Sequence, residues 1–348
     1  MALFRHFVVS VTTNQFRVTA MRCKLKGRKL LPIAYKTVNL EAVSDEQTVV
    51  KAFRSAASKI SPDPEDYVVT DIPLNEVVFR RFEVPAILVE QGKGRRKNSE
   101  ALKLHVANEM GIDPSSFLVH PVSVSAAGDK RRVLMVVVKQ ETISRWVMNM
   151  TTGGFPEPDV LDVSLLKWFY VLDWANMDAS FILVMIDMDY TMVSIFLNKH
   201  LYNLSISLDT NLMATLGALA DTFGAGEHDI FSMMQEGRVD EAVLLDVFSS
   251  TMLYEISRNV SFLVSSTPEM STGRLEDIAP VTYIMSPWNN VGDMIIRAFE
   301  RFGAFPFPNI TLKRAPLLYG IPKKVPLEAY ALALRGGSDF VKGQPLPA

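Results

Sequence analysis

The chain has 348 residues, with 36 Lys and Arg against 38 Asp and Glu, for a net charge of −2. At about 150 residues per domain, that length makes two or three domains. Apolar residues make up 48% and charged residues 21%, which excludes a disordered chain, and the charge balance gives no ground for nucleic-acid binding.

The single cysteine, Cys23, excludes a disulfide framework and a cysteine-built zinc site. One thiol also fits a reducing compartment. The histidines, His6, His105, His120, His200 and His228, lie far apart and form no ligand motif. No run approaches the ~18 apolar residues of a spanning helix. The opening Met1-Ala-Leu-Phe-Arg-His-Phe-Val-Val reaches Ser10 and Thr12 too soon for a signal peptide. The expected location is the cytoplasm, with peripheral association at a membrane only through partners.

Phe7 to Val11 reads as a short buried strand, followed by a polar turn at Thr12-Thr-Asn-Gln15. Phe16, Val18 and Ala20 then alternate with Arg17, Thr19 and Met21, the period of a strand. Gly27-Arg28 predicts a hairpin turn, and Leu30 to Leu40 a third strand. Val49, Val50, Phe53, Ala57 and Ile60 give a helix one apolar face, with Ser44 and Gln47 as its capping box. Tyr67 to Ile72 is the next strand.

Asn75 to Val84 alternates as a strand, and Glu100 to Met110 predicts a helix with Leu104 and Ala107 on one face and Gly111 as its stop. Phe117 to Ser125 and Val133 to Val138 are strands, and Glu141 to Met150 is a helix closed by Gly153-Gly154. Val160 to Ala175 reads as an apolar helix connecting two halves. The first pattern then returns. Phe181 to Asp187, Met192 to Leu197 and Leu201 to Leu208 are strands, with Asn198-Lys199 as a hairpin turn. Asp209-Thr210 caps a helix through Leu212, Leu216, Leu219 and Phe223. Two copies of strand-strand-strand-helix make an internal duplication.

A duplicated β-β-β-α unit with an inserted α/β subdomain resembles the actin-like ATPase superfamily. Within it, the order of pieces is similar to the PilM family, the cytoplasmic actin-like proteins of type IV pilus machines. The cytoplasmic part of the type II secretion protein GspL and the division protein FtsA are more distant likenesses. The residues that carry the resemblance are Val68-Val-Thr-Asp-Ile-Pro73 with Val77-Val-Phe-Arg-Arg-Phe-Glu-Val-Pro85, then Glu227 to Gly237. Glu255, Ile256 and Arg258 follow, and Pro326-Leu-Glu-Ala-Tyr-Ala-Leu-Ala-Leu-Arg-Gly336 closes the series.

The resemblance implies an actin-like, ribonuclease H-like fold of duplicated β-β-β-α-β lobes. The first lobe is expected from residues 1–76, 156–180 and 316–337, the insert from 77–155, the second lobe from 181–315, and a flexible tail from 338–348. It also implies an ATP site whose phosphates meet the first hairpin turn of each lobe. The degenerate positions are Thr12, Thr13, Asn14 and Arg17 in the first lobe, and Asp187, Thr191 and Ser286 in the second. Asp187 is the metal position, should Mg-ATP bind at all.

Three departures argue against that binding. Ser10 and Thr12 stand where the family has an acid and a glycine. Asp189 replaces a glycine of the second turn, and a like charge ~4 Å from a phosphate costs about 4 kcal/mol at an effective dielectric near 20. Pro287 and Trp288 fill the stretch where glycines make room for adenosine. No cofactor and no ATP hydrolysis are expected.

The expected function is a scaffold of a type IV pilus or related secretion machine. Its partner is the cytoplasmic N-terminal segment of a PilN-like, single-span inner-membrane protein, with a second contact to the motor ATPase. The resemblance places the peptide between first lobe and insert, the region of Phe79, Phe82 and Leu104. The alternatives are a GspL-like secretion component and an ATP-binding filament or kinase-fold protein. Gly92-Lys-Gly-Arg-Arg-Lys97 lacks P-loop spacing. It reads either as a solvated loop or as a contact for an acidic partner or anionic lipid.

Overall fold

The computed structural model describes residues 7–27, 29–40, 45–89, 95–127, 130–271, 275–288, 291–322, 324–338 and 340. The chain divides into two compact units, Met1–Val171 with Pro322–Ala348, and Leu172–Ile321.

The first unit is built on a five-stranded sheet of order β3-β2-β1-β4-β8, from β1 (Phe7–Thr13), β2 (Arg17–Lys26), β3 (Lys29–Asn39), β4 (Tyr67–Ile72) and β8 (Val160–Val163). The first three strands are antiparallel, whereas β4 joins β1 in parallel and β8 joins β4 in parallel. A parallel neighbour needs a crossover. Helix α1 (Glu46–Ile60) supplies it, packing Phe53, Ala56, Ala57 and Ile60 against Val9, Val11, Val18 and Ala20. Its cap is Asp45, whose side chain accepts from the Thr48 amide at 2.7 Å. The expected capping Ser44 lies outside the described residues.

The insert is a three-stranded sheet of order β5-β7-β6, from β5 (Val77–Pro85), β6 (Phe117–Ala127) and β7 (Lys130–Lys139), with helices α2 (Arg95–Met110) and α3 (Gln140–Thr152). Phe82, Val84, Val133, Met135 and Val137 form its core with Leu102 and Val106 of α2. Leu104 therefore does not share the buried face with Ala107. It is exposed while Ala107 is buried, because Leu102, Val106 and Ala107 define the inward stripe.

The predicted helix over 160–175 is not formed. The segment is β8, then single 3-10 turns at Leu166–Tyr170 and Trp174–Asn176. An apolar run of this kind has no decisive period. The open edge of β4 decides the outcome, since the Asp159 amide donates to the Val68 carbonyl and the Val68 amide to the Asp159 carboxylate.

The second unit repeats the strand order as β11-β10-β9-β12-β13, from β9 (Phe181–Ile186), β10 (Thr191–Leu197), β11 (His200–Ser207), β12 (Val281–Met285) and β13 (Thr311–Arg314). Its two outer parallel strands take the same places as those of the first unit. Asn198 and Lys199 both adopt positive φ, +51° and +64°, as a two-residue hairpin turn of the type I′ class demands.

The helices of this unit are α4 (Leu212–Phe223), α5 (Glu227–Gln235), α6 (Glu241–Phe248), α7 (Tyr254–Ser265), the single turns α8 (Pro268–Ser271) and α9 (Leu275–Ile278), and α10 (Val291–Phe302). The cap of α4 is Asn211, not Asp209 or Thr210; its side chain accepts from the Ala214 amide. The last helix, α11 (Leu327–Ser338), returns to the first unit and packs on β1, β2 and β4. Beyond it the expected tail lies largely outside the described residues, although Phe340 meets the Tyr67 ring edge-on at 4.8 Å. Among the described residues, no helix is long and apolar enough to cross a membrane.

Candidate functional site

In open α/β sheets, ligands gather at the carboxyl ends of the parallel strands. In the first unit those ends hold Thr12 and Thr13 on β1, Asp71 on β4 and Asp162 on β8. All four are buried or nearly so. Lys167, from the 3-10 turn after β8, completes the group. Its ammonium donates to Asp71 Oδ2 at 2.6 Å and to Thr12 Oγ1 at 2.8 Å, and Thr12 in turn donates to the same Asp71 oxygen at 2.8 Å. The hydroxyl that the sequence offered to a phosphate is thus taken on both sides by the protein itself.

Asp162 stands in register with Asp71 on the neighbouring strand. Burial pushes its carboxyl up to about 6, and the Val163 amide and Arg335 pull it back only in part. Arg335 of α11 pairs with Asp162 at 3.2 Å. Four charged groups, two of each sign, therefore neutralise one another at this sheet edge. A second buried pair joins the same helix to β2, where Arg17 and Thr19 both donate to Glu328. Arg17 holds the closing helix in place. Asn14 closes the turn locally, accepting from the Phe16 and Arg17 amides at 3.0 and 2.8 Å. Thr13 Oγ1 is buried without a hydrogen-bond partner.

In the second unit the corresponding strand ends carry Asp187 and Ser286. Asp187 is buried, and its Oδ1 accepts from the Met188 amide at 2.7 Å. The turn folds onto the start of α4. The Leu212 amide donates to the Asp187 carbonyl at 3.0 Å, the Met213 amide to the Met188 carbonyl at 3.2 Å, and the Ala214 amide to Asn211. Leading helix amides are the usual cradle for a phosphate, and here those three are already bonded. Thr191 Oγ1 is buried with no partner, and Ser286 accepts from the Trp288 amide at 3.4 Å. Trp288 is itself buried and meets Phe231 edge-on at 5.5 Å. Of the polar groups that the sequence assigned to ATP, Thr12 and Arg17 donate to protein carboxylates, whereas the Thr13 and Thr191 hydroxyls have no hydrogen-bond partner. Among the described residues, no three His, Cys, Asp or Glu side chains gather to hold a metal.

The residues assigned to a partner separate. Phe82 is core, Phe79 is half-buried, and Leu104 is exposed on α2. The insert's junction with the first lobe carries an open groove of about 330 Å³, lined by Val77, Val78, Phe117, Val137, Thr142 and Arg145. Arg145 and Thr142 both donate to Glu76 on its rim.

Sequence reasoning missed Lys167 and Asp162, because both lay in a stretch taken for helix. Asp71 was visible only as part of the Thr70-Asp71-Ile72-Pro73 motif, with no role attached.

No family model and no curated protein matches the sequence. Among solved structures, a chain of the PilM–PilN type IV pilus biogenesis complex shares the fold. The match covers 95% of this chain and 98% of that one, at 14% identity and a TM-score of 0.64. The ethanolamine utilization protein EutJ from Carboxydothermus hydrogenoformans matches over 96% and 91%, at 12% identity and a TM-score of 0.49. The cytoplasmic domain of EpsL, an inner-membrane component of the type II secretion system of Vibrio cholerae, matches over 97% and 96%, at 9% identity and a TM-score of 0.43. The fold is the actin-like one that the resemblance implied.

Proposed function

We propose that the chain is a non-catalytic, actin-like scaffold of a type IV pilus or related secretion machine. It holds the cytoplasmic N-terminal segment of a PilN-like, single-span inner-membrane protein, and it works at the cytoplasmic side of that membrane. The observation that carries this reading is the fold shared along almost the whole chain with the PilM–PilN complex, at a TM-score of 0.64. The groove at the foot of the insert supports it. There β5 is an edge strand, and Val78 is 51% exposed. An extended peptide laid along β5 gains main-chain hydrogen bonds, with side chains reaching the groove. A further contact to the motor ATPase belongs to the same proposal.

The lost nucleotide site is the second half of the reading. It is supported by the Lys167–Asp71–Thr12 group and by the occupied amides of α4.

The experiment is a titration of the intact protein with a synthetic peptide of the partner's cytoplasmic segment. Val78→Arg is expected to weaken binding at least ~10-fold, on the scale of a lost contact residue, with the melting temperature unchanged. Full-strength binding by that variant would move the groove elsewhere. Titration with Mg-ATP is expected to give no heat. Micromolar binding that Asp187→Ala abolishes would overturn the second half.

A further inference from the structure

The insert carries a charge that the chain as a whole does not. Its neighbouring strands β5 and β7 hold Arg80, Arg81, Lys130, Arg131, Arg132 and Lys139 against one carboxylate, Glu83. The register sets Lys130 opposite Pro85, Arg131 opposite Val84 and Arg132 opposite Glu83, so the basic start of β7 lies beside the end of β5. Glu83 pairs with Arg132 at 3.3 Å. Arg80, Arg81 and Lys130 are exposed.

Just past Pro85 the chain makes a single turn, Ala86–Leu88. Leu88 and Val89 pack against the insert's core, while Ile87 points outward and is 70% exposed. Ile87 thus stands exposed just past the Pro85–Lys130 pair.

We propose that this end of the insert rests on an anionic lipid surface, its cations at the headgroups and Ile87 in the interface. A cation close to such a surface strengthens partition roughly fivefold. An apolar side chain beside it adds burial that a purely acidic peptide does not call on. This end, with Ile87 and the basic start of β7, lies seven residues along β5 from Val78, roughly 20 Å away by strand rise. It is therefore separate from the peptide groove, and both engage at once.

The test is co-sedimentation of the full chain with vesicles of phosphatidylcholine alone, or with about one-third phosphatidylglycerol, the range in which anionic surface potential acts. The chain is expected to partition onto the anionic vesicles at low salt, to leave them at high salt, and to ignore the neutral ones. Arg81→Ser with Lys130→Ser is expected to weaken partition about 25-fold. Ile87→Ser, which leaves every charge in place, is expected to weaken it several-fold. Ile87→Ser lies beyond β5 and should keep wild-type affinity for the groove peptide, so failure here and failure of the scaffold reading are distinguishable. Equal sedimentation with both vesicles, none with either, or unchanged partition of the double variant overturns the proposal. So does binding to a poly-glutamate peptide without binding to anionic vesicles.

Discussion

Lys167 shows how one side chain decides what a site can do. Its ammonium is buried against Asp71 and Thr12. Replacing it with methionine leaves the Asp71 charge inside the protein with only a hydroxyl, which costs about 3–5 kcal/mol for a broken buried pair. The expected result in urea unfolding is a drop of that size for Lys167→Met, largely recovered by Lys167→Met with Asp71→Leu. The sequence marked Thr12 for the site but not its two partners, since they lie 59 and 155 residues away along the chain and no local pattern joins them. Cys23 is a simpler case. It is fully buried, and burial pushes its thiol up to about 12. A thiolate reagent is expected to find no native reactivity at neutral pH, and one equivalent after unfolding.

Asp162 gives a pH signature of unusual sign. Its carboxyl titrates at about 6 when folded and at about 4 in the unfolded chain. Between those values the folded state binds the proton and the unfolded state does not. This group therefore adds stability as pH falls from 7 towards 4, and withdraws it as pH rises through 6. Asp45 and Asp113, held low by hydrogen bonds from Thr48 and Ser115, act with the opposite sign below about 4. The wild type minus Asp162→Asn difference in unfolding free energy isolates the effect, and a difference flat from pH 4 to 7 would refute it.

At the scale of elements, period and turn chemistry carried most of the reading. Strands of β1, β2 and β9 to β11 were legible because their apolar residues alternate or run together between recognisable turns. The segment from 160 to 175 was not, because its structure is imposed by the open edge of β4 rather than by any local preference. The sheet also explains the Arg335-Gly336-Gly337 sequence of α11. A Cβ on Gly336 would sit 2.4 Å from Val69 Cγ2, and one on Gly337 would sit 2.7 Å from Leu30 Cδ1. Glycine inside a helix ordinarily costs about 1 kcal/mol relative to alanine. Here the close approach to the sheet reverses the sign. Gly336→Ala is expected to destabilise by about 1–3 kcal/mol, the range for overpacking. Val69→Ala in the same chain should return part of that loss, as a thermal melt would read. Stabilisation by Gly336→Ala alone would mean that α11 does not lie on β4 as described.

At the scale of the molecule, the duplication was legible before the units were. Both sheets have the same strand order, yet one unit is continuous in sequence and the other is not. Leu172–Ile321 is one stretch that contains its whole sheet and the helices packed on it. The first unit is completed only by the closing helix, which brings Glu328 to Arg17 and Thr19, the Ala329 carbonyl to Ser10, and Arg335 to Asp162. Each of these leaves a buried polar or charged group unpaired when α11 is missing, at a cost of about 1–3 kcal/mol for a neutral group and more for a charge. The sum rivals the 5–15 kcal/mol that keeps an ordinary domain folded. Residues 172–321 alone are therefore expected to unfold cooperatively in urea, while residues 1–171 alone are expected to stay molten or aggregate. Adding residues 322–348 as a separate peptide should restore a cooperative transition to the 1–171 fragment, saturably and with 1:1 stoichiometry. Arg335→Ala or Glu328→Ala in that peptide should weaken the rescue, since each removes the partner of a buried charge. A 1–171 fragment that folds unaided would show that the closing helix only decorates a sheet already sufficient by itself.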